Sequence, residues 1–363
     1  PWIGTEMGKD GFEITVNVLK MFLIFLMMVQ LVPILVWVER RGSAFIQNRL
    51  GPNRVGPLGL MQLLADAVKF LFKEEFLPKK SVSIMYYGAP VMALIPGALA
   101  FASIPLSCPV EISAFEMMGK TYGPYTFLAQ GYDLGIGIVF VLGISSLGAY
   151  SLLMAGWGSS NKYSLMGALR ASAQMISYEL AMGASVIGVV MLSGSLDLNG
   201  IIEAQSKSTF KWFIIPQFVG FIVFLIAAFA ETNRVPFDLP EAETELVAGF
   251  HTEYSALQFA LFFMAEYVNM FTVSVMIVVL FLGGWYIPGL SYIFEVGSIP
   301  YALASHVGFL LKIFFFLFLY IWIRGTLPRF RFDQLMNFGW KFLLPVAIAN
   351  VILTIVVVFF LNR

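Results

Sequence analysis

Long apolar runs alternate with short charged segments along the chain. A helix that crosses a bilayer needs about 20 mostly apolar residues, and eight segments meet this requirement. The pattern therefore predicts an all-α integral membrane protein with eight transmembrane helices, and residues 1–363 are expected to form a single membrane domain. The predicted spans cover about residues 15–38, 84–106, 132–156, 170–192, 212–231, 255–283, 302–323 and 341–361.

A further apolar segment, at residues 58–77, has a polar stripe at helical spacing. Gln62, Asp66, Lys69 and Lys73 follow one another at intervals of four, three and four residues, and leucines occupy the other face. This pattern predicts an amphipathic helix that lies in the membrane interface. Its carboxylate and two lysines suggest a place in a binding site, and simple anchoring is the alternative.

Basic residues divide unevenly between the two sets of predicted loops. One set holds 15 of the 22 basic residues and the other holds six, while Lys312 lies inside a span. The positive-inside rule then places the richer set in the cytoplasm or its equivalent and both termini outside. The richer set comprises Arg40, Arg41, Arg49, Arg54, Lys69, Lys73, Lys79, Lys80, Lys162, Arg170, Arg234, Arg324, Arg329, Arg331 and Lys341.

The composition is that of a protein that functions within a lipid bilayer, and it excludes several kinds of cofactor site and active site. Hydrophobic residues make up 59% and charged residues 12%, against about 25% charged in soluble domains. The single cysteine, Cys108, excludes an internal disulfide and an iron–sulfur cluster held by this chain alone. His251 and His306 are far apart, so no metal site is expected, and no nucleotide-binding glycine motif or hydrolase triad is present.

The segment between the fifth and sixth predicted spans is unusually acidic. Six carboxylates fall within 23 residues, and Arg234 is the accompanying arginine. The remaining residues are mostly apolar or small, which indicates burial. Desolvation and mutual repulsion raise the pKa values of such carboxylates, as a proton relay requires. An acidic docking surface for a partner protein is the alternative. The six are Glu231, Asp238, Glu241, Glu243, Glu245 and Glu253.

Two further carboxylates, Glu179 and Glu266, lie within predicted spans. A charge at this depth costs about 2.5–3.5 kcal/mol on insertion scales and usually has a function. Lys312 is the basic residue at comparable depth and is predicted to pair with either carboxylate. We favour a chain of protonatable groups that leads from the cytoplasmic side to the middle of the membrane. An ion pair that only locks helices together is the alternative.

Two basic segments on the predicted inner side contain candidate ligand-binding residues. Residues 39–57 include Arg40 and Arg49 and carry two Gly-Pro pairs, which require a turned backbone. Arginine and glutamine beside apolar side chains suit a ligand with a polar headgroup and a long apolar tail. Residues 322–336, which include Arg324, allow the same interpretation. For both segments, the alternative is that the basic residues only anchor the protein at the inner side of the membrane, as the positive-inside rule describes.

The chain contains five motifs: GPNRVGPLGLMQLLADAVKFLFKE (51–74), ISYE (176–179), ETNRVPFDLPEAETELVAGFHTEYS (231–255), LFFMAEYVNM (261–270) and WIRGTLPRFRFDQLM (322–336). They resemble motifs of the membrane subunit called H of bacterial NADH–quinone oxidoreductase, which corresponds to subunit 1 of mitochondrial respiratory complex I. The resemblance runs in order over nearly the whole chain from about residue 15, and members of the family have eight spans. One departure is Ala242, where many relatives have glycine, and it changes no carboxylate.

The resemblance implies a subunit that walls the passage through which quinone enters and starts a line of acidic residues toward the proton-pumping subunits. The implied quinone-cavity residues are Glu39, Arg40, Arg49, Asp66, Phe263, Met264 and Arg324. The implied proton-relay residues are Glu179, Glu231, Glu241, Glu243, Glu245, Glu253 and Glu266. Arg234, Asp238 and Lys312 are predicted as supporting charges.

The resemblance also implies the setting of the chain. Quinone is the expected substrate, and this chain alone is expected to bind no cofactor, since flavin and iron–sulfur clusters belong to partner subunits. The expected partners are the peripheral quinone-reducing subunits, the proton-pumping subunits of the membrane arm and the lipid bilayer, with no nucleic acid. The expected location is the bacterial inner (plasma) membrane, with the mitochondrial inner membrane as the alternative.

Two other functions stay open from the sequence. One is the homologous subunit of a ferredoxin-, F420- or hydrogenase-linked complex. The other is a stand-alone cation/proton antiporter, which would not need two charged aromatic segments on the inner side. Co-purification with many other polypeptides would separate a component of a large complex from a lone transporter.

Overall fold

The computed structural model describes residues 2–112, 115–117, 120–122, 125–206, 212–238 and 247–361. Its body is a bundle of helices, so the chain is an all-α membrane protein, as predicted. The helices are α1 (Trp2–Ile46), α2 (Gln62–Phe72), α3 (Ser83–Ala102), α4 (Gly137–Ser145), α5 (Leu147–Gly158), α6 (Lys162–Ser193), α7 (Leu198–Ser206), α8 (Phe218–Glu231), α9 (Ala256–Phe281), α10 (Ile299–Thr326), α11 (Phe332–Phe338) and α12 (Leu344–Leu361).

Seven of the described helical segments are long and apolar enough to cross a membrane. They correspond to seven of the eight predicted spans. The fifth predicted span, 212–231, contains only α8, whose 14 residues reach about 21 Å at 1.5 Å per residue. A turn occupies residues 213–217. Pro216 lies within this turn, and α8 begins two residues after it, at Phe218; proline has no amide hydrogen to donate, which favours a helix start close to it.

Several boundaries differ from the predicted ones. The third predicted span is divided into α4 and α5 at Ser146, whereas α3 runs without a break through Pro90 and Pro96. The helix predicted over 58–77 is shorter, because a 3₁₀ turn at Pro57–Gly59 precedes it and α2 stops at Phe72. A π-helical turn at Gly339–Leu343 joins α11 to α12.

A small β-element follows α3. Strands β1 (Val110–Ile112) and β4 (Tyr125–Phe127) pair antiparallel, as do β2 (Phe115–Met117) and β3 (Lys120–Tyr122). The apolar-run pattern that predicts helices cannot detect three-residue strands, so the sequence indicated only a loop here.

Helix α9 occupies the centre of the bundle. Every residue from Met270 to Phe281 is buried, because this helix is apolar on all sides and contacts α3, α8 and α10. Helix α6 contacts α5, α8 and α12 on the other side of the bundle. The turn that follows α8, at residues 232–238, therefore lies between α6 and α9. Its charged residues, Arg234 and Asp238, are buried there.

Candidate functional site

A cavity of about 640 Å³ opens between α1, α9 and α10. It collects side chains that are distant in sequence, from the end of α1, the following linker, the middle of α9 and the end of α10. Both polar and apolar groups line it, so it can hold a molecule with a polar head and an apolar body. Five of the seven predicted cavity residues line it: Glu39, Arg40, Arg49, Phe263 and Arg324.

The two other predicted cavity residues lie nearby but do not belong to this lining. Asp66 on α2 accepts a hydrogen bond from Arg40 Nη1 at 2.6 Å and another from Gln62 Nε2 at 3.0 Å. This ion pair fastens α2 to the cavity wall. Met264 packs against the hydrophobic core and is not among the residues that line the cavity.

Glu39 is the centre of a buried ionic cluster at the end of this cavity. Its Oε1 contacts Arg234 Nη1 at 3.1 Å and also Arg324 Nη1. The Tyr267 hydroxyl donates a hydrogen bond of 2.6 Å to Oε2 of the same carboxylate. Glu39 and Arg234 are buried, whereas Arg324 is exposed. One carboxylate is thus held from the loop after α8, from α9 and from α10.

Arg234 connects this cluster to a second carboxylate. Its Nε lies 2.6 Å from Oε1 of Glu266, and its guanidinium carbon lies 4.5 Å from the centre of the Tyr267 ring. The predicted cavity residue Glu39 and the predicted relay residue Glu266 therefore share one arginine. Such buried, doubly paired arginines are strongly held because removing one partner leaves an uncompensated charge.

The turn that carries Arg234 is fixed by neighbouring elements. The Gln174 side chain on α6 donates hydrogen bonds of 2.8 Å to the carbonyls of both Ala230 and Phe237. Arg329 binds Asp238 at 2.8 Å and ties the far end of the turn to the segment after α10. Asp238, predicted as a supporting charge, therefore anchors the turn.

A small, mostly apolar pocket of about 80 Å³ with a few polar side chains lies beside Glu266. It is lined by Glu231, Glu266, Ser145, His251 and other residues from α3, α5, α6 and α9. Glu231 is buried, interacts with the Ser145 side chain and lies within electrostatic range of Glu179. In the described part of the chain, no ion pair with a lysine or arginine involves Glu231.

Glu179 lies apart from this pocket, in a mostly apolar groove of about 410 Å³ between α4 and α6. Glu253, another predicted relay residue, lines a separate recess with Lys79, Lys80 and Lys162. Three predicted relay residues, Glu241, Glu243 and Glu245, lie outside the described residues.

The predicted pairing of Lys312 with Glu179 or Glu266 is wrong. The Lys312 ammonium donates hydrogen bonds to the carbonyls of Leu282, Gly284 and Tyr286 at 2.9, 2.9 and 2.7 Å. These carbonyls follow the end of α9, where helical partners for carbonyl groups run out. Lys312 satisfies them and also lies over the Trp212 ring, so it caps α9 at the predicted outer side.

Sequence reasoning missed two residues of the site, Tyr267 and Gln174. Tyr267 directly follows Glu266, and its spacing from Phe263 by one helical turn was the available signal. Gln174 is a buried amide within a long helix, where an unpaired polar group would be costly. That burial was not visible before the structure.

The chain was compared with protein families and curated proteins. Residues 19–355 match the model of a family described as NADH dehydrogenase. A Bdellovibrio bacteriovorus protein, named as the H subunit of NADH-quinone oxidoreductase, is 57% identical over 97% of this chain and 98% of its own length. The second such H subunit of Koribacter versatilis is 47% identical over 96% and 98%. NADH-quinone oxidoreductase subunit 8 of Rhodothermus marinus is 44% identical over 92% and 94%.

Proposed function

Because the chain belongs to the family of H subunits of NADH-quinone oxidoreductases, we propose that it forms the quinone passage of such a complex and couples quinone reduction to proton translocation. It is one subunit of a larger enzyme in a membrane. The bacterial inner membrane is the proposed location, since the relatives with 57% and 47% identity are bacterial proteins. Peripheral quinone-reducing subunits and membrane-arm proton-pumping subunits are its proposed partners, and they carry the flavin and iron–sulfur clusters.

The contact chain from Glu39 through Arg234 to Glu266 is the observation that carries the proposal. Glu39 lines the large cavity, and Glu266 lines the small pocket that also contains Glu231. Glu39 and Glu266 bind the same guanidinium group. A change of charge in the cavity would therefore alter the position of Arg234, and this would alter the electrostatic environment of Glu266. Arg40, Arg49 and Arg324 would bind the quinone headgroup, with Phe263 against its apolar part.

The proposed arrangement in the membrane has eight crossings and one interfacial helix. Helix α8, together with the turn at 213–217, would make the eighth crossing. Phe213 and Gln217 bury part of this turn in the protein, and irregular backbone at membrane depth is accepted where protein covers it. The exposed leucines of α2 support its place in the interface. Residues 1–363 would form one membrane domain.

Two variants on the cavity wall test the quinone passage. We expect Arg40→Ala and Asp66→Asn to lower quinone-dependent turnover several-fold, while electron transfer to a water-soluble acceptor at the peripheral arm is unchanged. The ion pair that they break is partly exposed, so its removal costs at most about 1 kcal/mol of stability. Loss of both activities together would indicate failed assembly instead and would count against the cavity role.

Cysteine labelling tests the proposed topology. Cysteines at positions 48 and 332 should react with an impermeant reagent from the inside of vesicles, and those at 120 and 207 from the outside. The 15-to-6 division of basic residues underlies this expectation. Reversed accessibility would refute it.

A further inference from the structure

A concave recess lies where three helices begin or end, away from the ionic cluster. Helix α3 begins at Ser83, α5 ends at Gly158 and α6 begins at Lys162. All three belong to candidate membrane spans. The recess between these ends has a volume of about 470 Å³. Because it lies at the ends of spans, it is at the level of the lipid headgroups.

Two walls of the recess are joined by hydrogen bonds. The Val82 amide donates to the Gly158 carbonyl at 2.9 Å, and the Ser160 hydroxyl donates to the Lys80 carbonyl at 2.7 Å. A Cβ atom at Gly158 would lie 2.9 Å from the Tyr86 amide nitrogen. Only glycine therefore allows the end of α5 to approach the start of α3 this closely.

The third wall is also fixed. Asn161 caps α6 by accepting the Tyr163 amide at 2.9 Å, and its Nδ2 donates to Oε1 of Glu253 at 2.6 Å. Burial raises the pKa of the neighbouring Tyr254, so its phenol stays protonated and donates to the Tyr86 carbonyl at 3.1 Å. The recess thus has its shape before any ligand arrives, which lowers the entropic cost of binding.

The charge of the recess favours an anion. Lys79, Lys80 and Lys162 contribute three positive charges to its lining, and Glu253 contributes one negative charge, which leaves two positive charges. The Glu253 carboxylate is already engaged by Asn161. The N-terminus of the 32-residue helix α6 adds a partial positive charge at Lys162.

The surroundings of the recess favour a lipid as the source of that anion. Trp157, Tyr87 and Tyr163 are exposed beside it, and tryptophan and tyrosine concentrate at the headgroup level of membranes. Ile84 and Val91 on α3 and Tyr150 on α5 continue an exposed apolar surface away from the recess. We propose that the recess binds the phosphate of an anionic phospholipid whose acyl chains lie along this face of α3 and α5. This proposal does not rest on the quinone passage.

Photolabelling of the assembled complex tests the proposal. The complex is reconstituted in phosphatidylcholine vesicles that contain a trace of photoactivatable phosphatidylglycerol, or photoactivatable phosphatidylcholine with the same tails. A lysine near an anionic membrane surface gains about fivefold in affinity, and we take the same scale for a lysine beside the phosphate of one anionic lipid. We therefore expect phosphatidylglycerol to label the peptides around Trp157 at least about fivefold more than phosphatidylcholine does.

Charge variants decide whether the lysines are responsible. The triple variant Lys79→Gln, Lys80→Gln, Lys162→Gln should reduce labelling by phosphatidylglycerol to the phosphatidylcholine level. The single variant Lys79→Gln should reduce it by about fivefold, and it covers the case in which the triple variant fails to assemble. Replacement of all three by arginine should preserve labelling. Lys341→Gln, a change of another exposed lysine on the predicted inner side, is the matched control and should have no effect.

Three results would overturn the proposal. Equal labelling by both lipids, or undiminished labelling in the glutamine variants, would show that the lysines select no anionic lipid. Loss of labelling in excess inorganic phosphate, with labelling kept in sodium chloride of the same ionic strength, would show that the recess is a site for free phosphate. Crosslinking of the Trp157 region to a neighbouring protein in place of lipid would identify the recess as a protein interface.

Discussion

Two groups of carboxylates, each with one buried member (Glu39 in the first and Glu231 in the second), lie near one another, and the protein neutralises them differently. In the ionic cluster, Glu39 and Glu266 meet Arg234 and Arg324, so two negative charges face two positive charges. Glu231 and Glu179 have no ion pair with a basic side chain in the part of the chain that the structure describes. The first group is balanced, whereas the second would carry a charge of minus two if both carboxylates were ionised.

This difference in charge balance indicates that the two groups of carboxylates have different functions, which the sequence alone did not distinguish. A balanced buried cluster can keep its charges permanently, and its function is to transmit a change in geometry or potential. Uncompensated carboxylates at low dielectric are too costly to stay ionised, so we expect at least one of Glu231 and Glu179 to hold a proton at rest. Proton exchange should therefore begin at Glu231, beside the cluster and not within it.

The largest expected effect comes from removing the arginine that both carboxylates of the cluster share. Arg234→Gln would leave Glu39 with the exposed Arg324 and the Tyr267 hydroxyl as partners and would remove the arginine that lies 2.6 Å from Glu266. Breaking a buried ion pair costs about 3–5 kcal/mol, so we expect little assembled complex. Native gel electrophoresis of solubilised membranes measures the assembled amount.

Arg329→Gln is the matched control for that experiment. Arg329 binds Asp238 at 2.8 Å, and it is exposed whereas Asp238 is buried. Because water can reach the Arg329 side of this pair and Arg329 holds one carboxylate where Arg234 holds two, the variant should assemble better than Arg234→Gln. Equal assembly of the Arg234 and Arg329 variants would contradict the view that the cluster is held by permanent charge.

Glutamine substitutions in the two groups should give opposite results. Glu231→Gln keeps the volume of the side chain and imitates its protonated form, so we expect normal assembly with quinone reduction and proton translocation lowered together, by about tenfold or more. Glu266→Gln should instead lower assembly, because it removes a partner of buried Arg234. Glu179→Gln should behave like Glu231→Gln.

The measurements are assembly, quinone reduction and proton pumping in each of the three variants. Normal turnover and pumping in Glu231→Gln and Glu179→Gln would refute the proton relay. Normal assembly of Glu266→Gln with slowed turnover would place Glu266 among the exchanging groups and would remove the distinction between the two regions.

The sequence predicted which residues carry charge in the membrane better than it predicted their partners. Hydropathy located seven long spans, and the motifs at 39–57 and 231–254 contain most of the charged residues found near the cavity. Partner choice depends on the direction of each side chain in the folded bundle, which one-dimensional spacing does not contain. Lys312 illustrates this, because the unpaired carbonyls that it binds exist only once α9 has ended at Phe281.

Span length was misjudged for a related reason. Residues 212–231 have the composition of a span, but hydropathy does not distinguish a helix from an apolar turn. Pro216 was a usable signal, since it restricts where the helix can begin. The short strands at Val110–Phe127 left no comparable signal, because a three-residue strand shows too little alternation.

A smaller effect is expected at Lys312, and it tests the corrected role of that residue. Lys312→Gln would leave carbonyls after α9 with fewer donors, at a cost of about 1–3 kcal/mol. We expect faster thermal inactivation of quinone reduction, with unchanged coupling of the remaining activity. Lys312→Arg should retain most of the stability, since a guanidinium also donates to carbonyls. If the Lys312→Gln variant were fully stable but no longer coupled quinone reduction to proton translocation, Lys312 would belong to the proton relay.

The smallest expected effect isolates one hydrogen bond of the ionic cluster. Tyr267→Phe removes the hydroxyl that donates to Oε2 of Glu39 at 2.6 Å but keeps the ring over which Arg234 lies. Hydrogen bonds to charged groups contribute about 1.5–3 kcal/mol, and here two arginines still hold the carboxylate, so we expect the low end of that range. The complex should assemble, with a lower thermal midpoint of inactivation and quinone turnover reduced only a few-fold.

Combining Tyr267→Phe with Arg324→Gln gives the sharper measurement, since both changes remove a partner of Glu39. If Glu39 is held by its partners jointly, the double variant should lose more than the sum of the single losses. Strict additivity would mean that Tyr267 and Arg324 hold Glu39 independently of each other and would contradict a jointly held carboxylate; single losses near zero would mean that Arg234 alone fixes Glu39.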